Sequence, residues 1–149
     1  MTLNTFATGI GKGLVAGAMG TAAMTISSTL EAKARHRAPS TAPADAAGKL
    51  LGVQPRNASG EARFATAVHW LYGSSWGILL GLLRSAGVPP VAAAVMHYSA
   101  VWGSELVMLP ALGVSEPVTQ WGTTEIAIDA GHHVVYVAAT SIGYALVDR

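Results

Sequence analysis

A chain of 149 residues has room for one domain. Only 11% of it is charged while 51% is apolar; an ordinary soluble domain carries roughly 25% charged residues, so long uncharged runs are expected. The net charge of +1 offers no basic patch for nucleic acid, and the absence of cysteine excludes disulfides, thiol catalysis, iron–sulfur clusters and Cys-ligated zinc.

The N-terminal stretch MTLNTFATGIGKG lacks the order of a signal peptide, because its first charge, Lys12, comes after an uncharged run. The apolar segment over about 10–30 reads instead as a retained membrane span. Gly13 to Leu30 is free of charge, and Gly9, Gly13 and Gly17 recur every fourth position. Small residues at that spacing let two helices approach closely in lipid.

Residues 31–63 form a longer polar loop holding most of the basic side chains, broken by Pro39, Pro43 and Pro55. Within it, PADAAGKLLG has the makings of a short helix between Pro43 and Gly52. A second span comes next over about 64–84, with Gly73, Gly77 and Gly81 again spaced by four, on the face expected to meet the first helix. Ser85 to Val88 reads as a tight hairpin with Gly87 at the helix end. Pro89-Pro90 then opens a third span, about 90–112, containing His97 and Glu105. Ser115-Glu116-Pro117 reads as a helix start leading into the last span, about 122–147.

That last span carries Glu125, Asp129, His132 and His133. At about 100° per residue, Glu125, Asp129, His132 and Tyr136 share one stripe and His133 falls off it. An ionisable group at membrane depth costs roughly 2.5 kcal/mol or more, so the stripe should face protein or water. His69 and Glu105 lie equally far from the hairpin at Gly87, and Glu105 and Glu125 equally far from Ser115. Antiparallel helices would therefore set His69, Glu105 and Glu125 in one polar layer, with Asp129 a turn deeper and His97 near His132 and His133.

The fold expected is an all-α integral membrane four-helix bundle, one domain with short hairpin connections and one longer polar loop. The Lys/Arg bias puts the loop 31–63 in the cytoplasm and both termini outside, in a multi-pass inner-membrane protein. The expected partners are the bilayer and a second copy of the chain or a larger membrane complex.

Several roles fit the polar cluster of His69, His97, Glu105, Glu125, Asp129, His132, His133 and Tyr136. It can be a packing core that sets helix register. It can be a path for protons or a small cation. It can also hold a divalent metal, since Asp129 and His132 have the i, i+3 spacing of carboxylate-bridged bundles, with Glu105 and Glu125 as completing ligands. A membrane-bound metalloenzyme acting on a lipid or quinone is a further reading. No hydrolase nucleophile motif or phosphate-binding glycine loop is present.

The segments GLVAGAMG, HWLYGSSWG, MHYSAVWGSELVMLPALGVSEP and WGTTEIAIDAGHHVVY together resemble the YagU-like family of small bacterial inner-membrane proteins of unknown function. The resemblance covers most of the chain outside the first loop and implies a multi-span bacterial membrane protein. It carries over no catalytic residues.

Overall fold

A computed structural model describes residues 3–38 and 40–149, so Pro39 lies outside the described residues. Five α-helices account for most of the described chain, with no strand among the described residues. They are α1 (Leu3–Ala34), α2 (Ala42–Leu51), α3 (Ala58–Ser85), α4 (Pro90–Ala111) and α5 (Thr123–Val147). The segment after α4 is not the helix expected from Ser115. It holds a single 3₁₀ turn, Val118–Gln120, and α5 starts only at Thr123.

Four of the helices stop by one device. Gly52, Gly87, Gly113 and His36 come after α2, α3, α4 and α1 with positive φ. In this left-handed turn the next amide bonds back to a carbonyl of the last helical turn, as Val88 N–H does to the Leu83 carbonyl and Arg37 N–H to that of Ala32. His36 does this without the freedom of glycine. At the other end of α3, the Asn57 side chain accepts from Gly60 N–H at 2.8 Å, capping the free amides of the first turn.

α1 and α3 pack antiparallel along their glycine rows. Gly9 lies against Gly81, Gly13 and Gly17 against Gly77, and Thr21 against Gly73. At the glycine pairs no side chain separates the two backbones, and the gain there is van der Waals contact between main chains. α5 covers another side of α1, also antiparallel: Gly20 lies against Tyr136 and Thr140, and Gly143 against Ala16 and Met19. Lys12 pairs with Asp148 at 2.8 Å, so the beginning of α1 and the end of α5 share one end of the bundle.

α4 closes the ring between α3 and α5 and is held by fewer contacts. Leu80 and Ala93 pack with Ala16 and Tyr144 in one buried cluster, and Val101, Tyr136 and Val137 form the other. At the end away from the termini, Lys49 Nζ donates to the carbonyls of Leu112 and Gly113, both at 2.8 Å. A cation at the last carbonyls of a helix is well placed against its dipole, and it ties α2 to the end of α4.

Small and polar residues share the interior with a few large apolar ones such as Leu80, Val101 and Leu109, while many large apolar residues lie outside. Leu71 is 73% exposed, Val91 78% and Val107 72%. One of the long helices, Leu3–Ala34, is long and apolar enough by length and composition to cross a membrane. No other helix among the described residues meets that measure.

Candidate cation site

α5 touches α1 on one side and α4 on the other, so neighbouring residues along it meet different helices. This divides the polar stripe expected from the sequence. Glu125 sits in the first turn of α5, exposed, 3.4 Å from Arg35. His132 faces α1, where its Nδ1 meets Ser27 Oγ at 2.8 Å and its Nε2 lies 3.7 Å from Glu31. Tyr136 reaches across to α3 and donates its hydroxyl proton to the Gly73 carbonyl at 2.6 Å.

Two histidines of the expected cluster are held elsewhere. His69 Nε2 meets Thr25 Oγ1 at 2.7 Å, and that hydroxyl already donates to the Thr21 carbonyl. A hydroxyl has one proton, so His69 is the donor. His97 is fully buried; its Nε2 donates to the Trp76 carbonyl at 3.0 Å and its ring packs on Tyr136. The layer of His69, Glu105 and Glu125 therefore does not form, because these residues face three different interfaces.

The groups that do converge are Glu105, Asp129 and His133. One ligand atom from each lies within 4.8 Å of the others. His133 Nε2 is 2.7 Å from Glu105 Oε2, and His133 Nδ1 is 3.8 Å from Asp129 Oδ2. Asp129 Oδ2 accepts the indole N–H of Trp102 at 2.8 Å, which orients the carboxylate. Relative to the set expected from spacing, His133 replaces His132 and Glu125 is absent. The reason is helical geometry: residues one apart point about 100° apart, and α4 lies on the side of His133. Trp102 stands outside the set expected from the sequence. The signal for it is its position three residues before Glu105, since i and i+3 share a helix face.

The protonation of His133 is fixed by its partners. Nδ1 lies 2.9 Å from the Asp129 carbonyl, which can only accept, so Nδ1 carries a hydrogen. In a neutral imidazole the other nitrogen is then a bare lone pair. That lone pair would face the Glu105 carboxylate oxygen at 2.7 Å, acceptor against acceptor. A positive centre between them makes the contact attractive: a proton, on Nε2 or on the Glu105 carboxyl, or a metal ion.

At the loop end of α1, Glu31 gathers Arg37, Arg35 and His132. The Arg37 hydrogen bond, helped by the charges of Arg37, Arg35 and His132, holds its carboxyl below the ordinary value of 4.5 against a smaller effect of desolvation. A carboxyl lowered in the folded state contributes stability above its unfolded value and loses it as pH falls through the folded one. Acidification below pH 4.5 is therefore expected to loosen the last turn of α1, measured as lower amide protection factors, corrected for the intrinsic exchange rate, at Lys33 to Arg37. Glu31→Gln should lower that protection already at neutral pH and flatten its pH dependence; the wild-type protection profile in the variant would refute the assignment.

Comparison with family models, with curated proteins and with solved structures finds no match to this chain.

Proposed function

We propose that the chain is a polytopic membrane protein in which Glu105, Asp129 and His133 hold a cation within the helix bundle and exchange it with the surrounding water. The observation that carries this reading is the contact of His133 Nε2 with Glu105 Oε2, on an imidazole whose other nitrogen is already committed. The membrane part is supported by the exposed apolar perimeter and the glycine-lined α1–α3 contact. Soluble monomers rarely expose apolar patches beyond a few hundred Å². On this reading both termini lie on one side and the basic loop 31–63 on the other, the cytoplasmic one by its charge. The resemblance to YagU-like proteins points to the same setting.

Histidine is suited to such an exchange because its ordinary pKa is near neutrality. The glutamate and aspartate are partly accessible, 24% and 27%, which gives the cation a way in. A second reading has a specific observation behind it. Glu105–His133 and Trp102–Asp129 both join α4 to α5, so the same atoms can serve only to lock the less firmly held helix.

The test is proton uptake by protein reconstituted into liposomes loaded with a pH-sensitive dye, under an imposed potential. Wild-type protein is expected to take up protons faster than empty liposomes, and Glu105→Gln with His133→Gln to return uptake to the empty-liposome rate. Equal uptake by wild type and the double variant would leave the packing role. Extraction of the protein from cells without detergent would remove the membrane setting.

A further inference from the structure

We infer that Glu105, Asp129 and His133 form a site for one divalent first-row metal ion of the zinc, manganese or ferrous class, an inference that rests on the cation reading above. The donors come from two helices. Glu105 is on α4; Asp129 and His133 are one turn apart on α5. Their ligand atoms already lie within 4.8 Å of one another. A metal held by nitrogen and oxygen at about 2.1 Å sets neighbouring ligands roughly 3.0–3.4 Å apart. The 2.7 Å between His133 Nε2 and Glu105 Oε2 needs to open by a few tenths of an ångström.

The histidine is prepared as a ligand. Its Nδ1–H is held by the Asp129 carbonyl, so Nε2 is the nitrogen aimed into the group, on a side chain only 5% exposed. A second hydrogen bond on the ligand's outer nitrogen is what fixes ring orientation in metal sites. Trp102 performs the same task for Asp129.

Charge favours two units over one. Two carboxylates and a neutral imidazole sum to −2. A proton leaves −1 in a half-buried place; a divalent ion leaves none. Among the described residues no lysine or arginine pairs with Glu105 or Asp129: Lys12 is held by Asp148, Arg35 by Glu31 and Glu125, and Arg37 by Glu31. The imidazole disfavours calcium and magnesium, which prefer oxygen alone, and the lack of sulfur disfavours copper(I). Three protein ligands leave coordination positions open, as in sites that exchange or act on what they bind rather than in closed structural ones.

The experiment is calorimetric titration of the detergent-purified full chain, stripped with chelator, with zinc chloride and separately manganese chloride. One ion per chain is expected. Glu105→Gln, Asp129→Asn and His133→Gln should each weaken binding by about a hundredfold or more, and Trp102→Phe by about tenfold. Glu125→Gln and His132→Gln should bind like wild type, and circular dichroism confirms that each variant is helical. Binding unaltered in folded His133→Gln, or lost instead in Glu125→Gln or His132→Gln, overturns the site. A chain that binds neither metal while Glu105→Gln with His133→Gln abolishes its proton uptake overturns the metal alone. Failure of both measurements overturns the cation reading with it.

Discussion

Replacing Gly77 with leucine is expected to part α1 from α3 and to lower the denaturation midpoint well below that of the wild type. A Cβ on Gly77 would lie 2.7 Å from both the Cα and the amide nitrogen of Gly17, and closer still to the Gly13 carbonyl oxygen. All of these are main-chain atoms of the facing helix. A clash with the tip of a flexible side chain is relieved by rotation, but this one requires whole helices to move. Overpacking a well-packed interior costs about 1–3 kcal/mol and occasionally more. Here the cost belongs at the upper end, about 3 kcal/mol, because leucine also removes the main-chain contacts along the rest of the row. Gly11 is the control: it is on α1 but nothing lies within 4 Å of its Cβ position. Gly11→Leu should unfold at the wild-type midpoint or above, since leucine favours helix over glycine by roughly 0.7 kcal/mol. Denaturation followed by circular dichroism measures both. A wild-type midpoint for Gly77→Leu would mean that the α1–α3 interface is not the one described.

His133→Leu is the second large effect. It leaves Glu105 and Asp129 facing each other across an apolar side chain, with the cation gone. Removing one partner of a buried pair costs about 3–5 kcal/mol because the remaining charge is uncompensated. The partial exposure of Glu105 and Asp129 brings the expected loss to the lower end, about 3 kcal/mol. Glu105→Met added to His133→Leu should recover most of it, since replacing both members of such a pair with apolar residues of similar size is often neutral. Denaturation midpoints of the single and double variants test this directly. A single variant as stable as wild type would show that the pair does not hold α4 to α5. The double variant also separates the two roles of the site. A stable double variant that takes up no protons places the value of these residues in the cation, whereas undiminished uptake removes the site from any transport role.

The helical elements were legible because their signals are local. Charge-free runs bounded by Pro89-Pro90 and Gly87 mark segments, and glycines four apart mark a face that another helix can approach. α1, however, begins before the expected span and runs four residues past it, to Ala34, because Glu31 and Lys33 are as compatible with helix as with loop. The start expected at Ser115 was misplaced for a related reason. Ser-Glu-Pro is a good opening for a helix, but Pro117 and Gly122 bracket too short a stretch to exceed one 3₁₀ turn.

The sequence by itself determined an all-α chain, the rows of small residues on its first and third helices, and a last helix rich in carboxylates and histidines. These are properties of composition and spacing, which a chain carries into any tertiary setting. Only the tertiary structure decided which of the polar residues meet. With α5 seated between α1 and α4, a turn of about 100° per residue sends His132 to Ser27 and Glu31 and His133 to Glu105. Whether two helices share one side or take opposite sides of a third depends on how the whole bundle closes, and no stretch of α5 encodes that closure.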